Sequence, residues 1–197
     1  MPAPDFKTNI FKAGAYNIDI ISSMLSMVPE ATADVKELAK EFKHKTDRAT
    51  AFAIWYFLRT RACYVRDSSQ LQQIRFPRRF IYDTHKRGNS GDCKSFAMFT
   101  VSILRALNMP AYFRFAGYDG ASQPSHVYAY TTDSQGREII IDGCYPFFDK
   151  EKKPTFTKNY NMTVTSLGSI SSDKRKAAQA FLASLTPRER ARVIQKL

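Results

Sequence analysis

The segment from Cys93 to Leu107 constrains the fold most, because it predicts a helix without a polar face. Apolar and small residues recur around this helix: Phe96, Ala97, Phe99, Thr100, Ile103, Leu104 and Leu107. A helix that is hydrophobic on all sides is buried in a core. Asn108 and Pro110 end the helix, since neither residue type continues a helix well.

The hydrophobic period changes to two residues after this helix. Alternation predicts strands at Ala111 to Tyr118, His126 to Thr131 and Arg137 to Asp142. The turn residues from Asp133 to Gly136 join the last two strands into an antiparallel hairpin. We therefore predict an α+β fold in which the central helix packs on an antiparallel sheet.

Further helices are expected before the central helix. Residues 1–15 predict an extended arm, and residues 18–27 predict a helix that Pro29 breaks. Residues 31–42 predict an amphipathic helix, and its buried face consists of Val35, Leu38, Ala39 and Phe42.

An aromatic helix is predicted at residues 49–64, with Thr46 or Asp47 as its N-cap. Residues three or four apart form one stripe on it: Phe52, Trp55, Tyr56 and Arg59. Such a stripe is more often core than a binding surface, so we predict that it is buried. Cys63 is expected to lie in the core with it.

Two basic or polar segments predict irregular structure. Residues 66–87 are basic and contain Pro77, and residues 150–172 are polar and predict a loop or linker. The C-terminus predicts two more helices, with Ser172 capping the first and a capping box at Thr186 starting the second.

The net charge of +12 favours an acidic partner, such as nucleic acid or an acidic protein surface. The basic residues are densest in three patches, at 40–48, 75–87 and 174–196. No nucleic-acid motif accompanies the charge, so a merely solvated basic surface is an equal alternative.

Cysteine and histidine usage narrows the class of protein. The chain has only three cysteines, an odd number, which argues against a disulfide framework. This usage favours a reducing, cytoplasmic compartment. The three histidines are scattered along the chain, so no metal site and no cofactor is expected. No stretch reaches the ~18 apolar residues of a membrane span, and the N-terminus does not resemble a secretory signal.

The loop before the central helix suits a nucleophile. Gly91 permits a tight turn, and Asp92 or Ser90 can cap the helix that begins at Cys93. The unpaired N–H groups and the dipole of a helix N-terminus favour a thiolate, the reactive form of cysteine. The same N–H groups can hold an oxyanion that forms on a substrate carbonyl.

A base and an acid follow on the predicted hairpin. His126 starts one strand, and Asp142 ends the next. If Thr132 pairs with Arg137, Asp142 falls opposite Val127. A one-residue bulge at Gly136 instead places Asp142 opposite Tyr128, on the face of His126 and diagonal to it.

Each of these residues alone has an ordinary structural explanation. A cysteine at a helix start is more often a small core residue, and an Asp before Gly143 is a common turn residue. The hypothesis of a Cys–His–Asp triad depends on their joint order and setting.

Two strings resemble the nucleophile helix of transglutaminase-like, papain-related domains: Arg87-Gly-Asn-Ser-Gly-Asp-Cys-Lys-Ser-Phe-Ala and Leu104-Arg-Ala-Leu-Asn-Met-Pro-Ala. In that family a Gly-x-Cys opens the helix, a His starts a later strand, and an Asp ends the next strand. Cys93, His126 and Asp142 occupy these places. The resemblance implies that they are the nucleophile, the base and the residue that orients the base.

A narrower resemblance is to a subgroup found in phages and bacterial mobile elements. Three strings carry it: Tyr64-Val-Arg-Asp67, Gln72-Gln-Ile-Arg-Phe-Pro77 and Gly91-Asp-Cys93. That subgroup commonly has Asp-Cys-Asp, whereas here Lys94 replaces the second acid. A phage origin would add a virion-associated location to the cytoplasmic one.

The resemblance implies an acyl-transfer enzyme that most simply hydrolyses a peptide or amide bond of a peptide or protein substrate. Transamidation is open as well, and the alternative is a catalytically silent structural or interaction protein, for example of a virion. A second oxyanion donor is expected upstream of Cys93, where Gln72 and Gln73 are candidates. Arg114 and Tyr128 are expected near the cleft. The predicted domains are an N-terminal arm with helices at 1–59, a catalytic core at 60–148, and a linker with C-terminal helices at 149–197.

Overall fold

The computed structural model describes residues 8–12, 17–68 and 71–163. Contacts divide the chain into two units, residues 1–163 and 164–197. All of the described residues lie in the first unit. The elements in chain order are β1 (Thr8–Lys12), α1 (Asn17–Asp34), a 3₁₀ helix (Leu38–Phe42), α2 (Asp47–Thr60), β2 (Leu71–Arg75), α3 (Pro77–Arg87), α4 (Cys93–Ala106), β3 (Tyr112–Gly117), β4 (His126–Thr132), β5 (Glu138–Ile141) and β6 (Phe156–Asn161).

Four strands form the main sheet, in the order β5-β4-β3-β6, and every neighbouring pair is antiparallel. Alternate side chains of β3, β4 and β5 point into the core, among them Phe113, Val127, Ala129 and Ile141. The predicted strands at 111–118, 126–131 and 137–142 are thereby confirmed to within one residue or two at each end. A separate two-stranded sheet joins β1 to β2.

Helix α4 lies at the centre of the core, as its lack of a polar face predicts. All of its residues from Lys94 to Leu104 are buried. Phe99 stacks on Phe80 of α3 at 4.9 Å and on Phe57 of α2 at 5.5 Å between ring centroids. The α+β fold with a central helix packed on an antiparallel sheet is confirmed.

The expected break at Pro29 is wrong, because α1 continues through it to Asp34. Pro29 removes one backbone hydrogen bond. The fully buried side chains of Val28 and Ala31 on either side keep the helix in place against the core. Packing thus outweighs the local cost of proline.

The single helix predicted at 31–42 is also wrong. Residues 31–34 are the end of α1, residues 35–37 form a turn, and residues 38–42 form a 3₁₀ helix. The predicted apolar face nevertheless packs on the core, with Val35, Ala39 and Phe42 buried and Leu38 partly buried. Hydrophobic spacing identified the inward side correctly but not the helix type, since short 3₁₀ turns present a similar face.

The aromatic stripe of α2 is not core. Thr46 caps the helix as predicted, but the side turned inward carries Ala51, Ile54 and Leu58. Phe52 is 45% exposed and Tyr56 is 54% exposed. Cys63 is exposed too, which corrects its expected burial.

The aromatic stripe packs instead on the segment that follows Asp142. Phe52 and Trp55 contact Phe148, with ring centroids 5.2 and 5.8 Å away. Trp55 Nε1 donates a hydrogen bond to the carbonyl of Tyr145. The two faces of α2 are both apolar, so periodicity alone could not choose between them.

Two segments expected to be irregular contain regular structure. The basic residues 66–87 include β2 and all of α3, which Pro77 starts at its first helical position. The polar residues 150–172 include β6, the edge strand beside β3. The C-terminal helices predicted from Ser172 and Thr186 lie outside the described residues.

None of the helices in the described ranges is long and apolar enough to cross a bilayer. The cytoplasmic or virion location and the boundaries of the three predicted domains stay predictions.

Candidate active site

Cys93 is the first residue of α4 and is half-buried. Asp92 is the N-cap, and its Oδ1 accepts a hydrogen bond from Lys94 N at 3.1 Å. The predicted cap and helix start are therefore both observed. The thiol lies where the helix dipole is positive.

Gly91 is required by the turn that leads into the helix. Its φ of 101° lies in the region that favours glycine. An added Cβ would lie 2.1 Å from Arg75 Nη1 and 2.8 Å from Ser95 Oγ. Arg75 itself is held by a hydrogen bond from its Nε to Asp83 Oδ2 at 3.2 Å. The loop before Cys93 is thus packed against a fixed guanidinium.

The hairpin brings His126 and Asp142 together. Ala129 pairs with Ile141, and continuing this register places Asp142 opposite Tyr128. Of the two registers left open by the sequence, the bulged one is therefore correct. Gly136, with φ of 77°, supplies the extra residue of the turn. His126 and Asp142 lie on one face of the sheet, and His126 Nε2 is 2.8 Å from Asp142 Oδ2.

Cys93 is the second neighbour of His126, since its interaction with the imidazole raises the pKa of His126. Because Nε2 contacts Asp142, Nδ1 is the ring nitrogen that remains for the thiol. The fold thus brings the three residues of the predicted triad together at the start of α4 and the end of β5.

The environment favours the charged form of His126. Burial alone would lower its pKa, but the hydrogen bonds with Asp142 and Cys93 and the charges of both raise the pKa to about 10. The negative charge of the Asp142 carboxylate stabilises the imidazolium in this position.

Cys144 is partly buried and lies beside the triad. Its backbone N–H donates to Asp142 Oδ1 at 2.9 Å. Burial raises the pKa of the Cys144 thiol, and the negative charges of Asp142 and Cys93 raise it further. The ligand atoms of Cys144, His126 and Asp142 all lie within 4.8 Å of one another, so these three residues could hold a metal ion.

Lys94 places a buried ammonium group next to the nucleophile. Its side chain is 7% exposed and forms ion pairs with Asp92 and Asp67. Its Nζ also donates to Gln72 Oε1 at 2.8 Å. Sequence reasoning noted Lys94 only as a departure from a family pattern. Its basic side chain beside acidic Asp92 was the available signal.

The two glutamines predicted as oxyanion donors differ in their surroundings. Gln72 contacts Lys94 through its carbonyl oxygen, and its Nε2 donates to the carbonyl of Ser68 at 2.7 Å. The backbone N–H of Gln73 donates to Asp67 Oδ2 at 2.6 Å. Both residues belong to β2, which pairs with β1.

Tyr128 lies directly behind His126, and the two rings stack with centroids 5.5 Å apart. Its hydroxyl donates to Glu151, which also binds Arg114. Arg114 also reaches across β4 to Glu138 of β5, at 2.7 Å. Tyr128 thus lies next to the site, as expected. Arg114 is one residue further away, because it is joined to Tyr128 through Glu151.

A family model of the transglutaminase-like superfamily matches residues 36–140, more than half of the chain. The chain belongs to the transglutaminase-like superfamily. The phage-related subgroup indicated by the sequence stays a prediction.

Two solved structures resemble the chain at low identity. A proposed cysteine protease from Cytophaga hutchinsonii is 21% identical with a TM-score of 0.43, over 69% of this chain and 48% of that one. A TGase is 14% identical with a TM-score of 0.36, over 72% of this chain and 36% of that one. The chain thus spans about half or less of the structures that it matches. A search of curated proteins by sequence finds no match.

Proposed function

We propose that the protein is a thiol-dependent acyl-transfer enzyme with Cys93 as nucleophile, His126 as base and Asp142 as the residue that orients His126. The observation that carries this proposal is the imidazole of His126, whose Nε2 lies 2.8 Å from Asp142 Oδ2 and whose pKa is raised by both Asp142 and Cys93. A thiol at a helix start with an oriented imidazole is the arrangement that activates a cysteine.

The reaction would begin with attack of the Cys93 thiolate on an amide carbonyl. The proton that His126 has taken from the thiol passes to the leaving amine, and a thioester remains on Cys93. Water, deprotonated by His126, then releases the acid and restores the thiol. Asp142 keeps its negative charge and stabilises the imidazolium in both steps.

Hydrolysis of a peptide or amide bond is the outcome that we propose, with a peptide or protein as substrate. An amine in place of water would give transamidation by the same residues. The first oxyanion donor is proposed to be the N–H of Cys93 at the start of α4. Gln72 is proposed as the second donor, because its contact with Lys94 brings its amide group close to the nucleophile helix.

The test is alkylation of the native protein by iodoacetamide at pH 6 to 9, with each modified cysteine located by mass spectrometry. Cys93 should react fast at pH 7, where a free thiol with a pKa of about 8.5 is mostly protonated. His126→Ala should slow Cys93 and leave Cys63 unchanged. Cys63 is an exposed thiol and serves as the internal reference.

A Cys93 that reacts no faster than Cys63, or that is indifferent to His126→Ala, would contradict the proposal. The structural or interaction protein would then be the better description. Peptide libraries incubated with wild type and with Cys93→Ala should next separate hydrolysis from transamidation, since an added amine is incorporated only by the latter reaction.

A further inference from the structure

Cys144 is the one thiol beside the candidate triad that the proposed reaction does not use. It follows Asp142 by two residues and contacts it, and its sulfur lies within 4.8 Å of ligand atoms on both His126 and Asp142. A sulfur, an imidazole nitrogen and a carboxylate oxygen, all of types that bind zinc, therefore lie close to one point. Such a set is not needed for acyl transfer.

We propose that Cys144, His126 and Asp142 form a binding site for a thiophilic divalent cation, with Zn²⁺ as the best fit, and that the bound cation switches the triad off. Sulfur, imidazole nitrogen and carboxylate oxygen are the three ligand types of protein zinc sites. In a tetrahedral site, bonds of about 2.0–2.3 Å separate neighbouring ligand atoms by roughly 3.5 Å. Small side-chain rotations close the remaining distance.

The backbone around Cys144 is already fixed in a way that suits a chelate. Gly143 is buried, and a Cβ there would lie 2.8 Å from both Leu58 and Phe96. Arg59 Nη1 donates to the carbonyl of Gly143 at 3.3 Å. Asp142 and Cys144 are therefore presented as a pair by a segment that cannot move far.

Binding and catalysis compete for the same atoms. The cation replaces the proton of the Cys144 thiol, which leaves to solvent, and takes a lone pair of His126 together with an oxygen of Asp142. A cation that shares Asp142 would bind Nε2 of His126, so the neutral ring keeps its one proton on Nδ1 and cannot accept the proton of Cys93. Occupancy of this site would then inhibit the enzyme reversibly. The inhibition depends on the proposed function, whereas the binding does not.

Cobalt titration tests the binding without any need for activity. Co²⁺ bound to a thiolate gives an absorption band in the near ultraviolet, and Zn²⁺ added afterwards should displace it. We expect the band in wild type, in Cys93→Ala and in Cys63→Ser, and its loss in Cys144→Ser. The Cys63→Ser variant is the matched control, since it removes an exposed thiol that is not one of the proposed ligands.

Alkylation of Cys93 tests the inhibition. Zn²⁺ should slow the reaction of wild type, and chelation should restore it. In Cys144→Ser the Zn²⁺ concentration that halves the variant's own metal-free rate should be more than ~10-fold higher than the concentration that halves the wild-type rate. Far-ultraviolet circular dichroism establishes that the variant is folded, and Cys144→Ala provides a second substitution.

The two proposals fail in different ways. A cobalt band that persists in Cys144→Ser, or no band in wild type, would overturn the metal site whatever the reactivity of Cys93. A slow Cys93 in metal-free protein would overturn the enzyme, yet the band in Cys93→Ala would still show that the cation binds.

Discussion

At the scale of single residues, the unusual charge of the site is Lys94. Its ammonium group is buried between Asp92 and Asp67, one position after the nucleophile. Burial raises the pKa of Asp92, and Lys94 opposes that rise through its charge and its hydrogen bond. The cation therefore favours the ionised form of the N-cap of α4.

Replacing Lys94 by Met should destabilise the protein by about 3–5 kcal/mol, because two buried carboxylates lose their counter-ion. Denaturant unfolding at pH 7 measures the effect. The loss of unfolding free energy should be smaller at acidic pH, where Asp92 is neutral in the variant and needs no counter-ion. Lys40→Met is the control, since Lys40 and Glu37 are 65% and 79% exposed and water screens the attraction between exposed charges. Equal effects of the two changes would contradict this account of Lys94.

His126 gives a second prediction at this scale. Its pKa of about 10 in the fold exceeds its ordinary value of 6.5, so the charged form stabilises the fold. This contribution is complete below pH 6.5 and is lost as the pH rises through about 10. In metal-free protein with EDTA, the free energy of unfolding should fall across that window.

The variant Asp142→Asn should flatten this dependence, because it removes the negative charge that favours the imidazolium. Unfolding titrations of both proteins at several pH values measure the difference. A slope that is as steep in Asp142→Asn as in wild type would mean that Asp142 does not hold the proton on His126.

At the scale of elements, the segment after β5 joins the site to two helices. Gly143 lies between Leu58 of α2 and Phe96 of α4. A Cβ added at Gly143 would lie 2.8 Å from atoms of both side chains. Gly143→Ala should cost about 1–3 kcal/mol through this overpacking and should slow the alkylation of Cys93 by moving Asp142.

The matched control for Gly143→Ala is Gly120→Ala. Gly120 has no atom within 4 Å of an added Cβ, and its φ of 82° makes its cost one of backbone strain alone. That cost is about 1–2 kcal/mol, and it should leave the reactivity of Cys93 unchanged. A reactivity loss in both variants would mean that general destabilisation, not the position of Asp142, is responsible.

At the scale of the whole molecule, residues 1–163 form a unit that contains Cys93, His126 and Asp142. A chain ending at Thr163 should therefore fold and keep fast alkylation of Cys93. A chain ending at Lys153 should aggregate or unfold, because it lacks β6 and leaves the edge of β3 unpaired. Size-exclusion chromatography with the alkylation assay distinguishes these outcomes, and an inactive chain 1–163 would contradict the prediction.

Much of the candidate site could be predicted because its signals are local. Gly91, Asp92 and Cys93 define a turn, a cap and a helix start from adjacent residues. The hairpin turn at Gly136 limited the position of Asp142 to two registers. The choice between them required the backbone conformation of the turn itself.

The sequence by itself determined the elements whose patterns are unambiguous, which are the apolar helix α4 and the alternating strands β3, β4 and β5. Tertiary structure decided everything that depends on contacts between distant residues. It turned Phe52 outward, carried α1 through Pro29, and placed β6 beside β3. It also brought Lys94 to Asp67 and Cys144 to His126. The physical reason is that local patterns fix which face is apolar, whereas the free energy of burial and charge pairing depends on which partners the fold supplies.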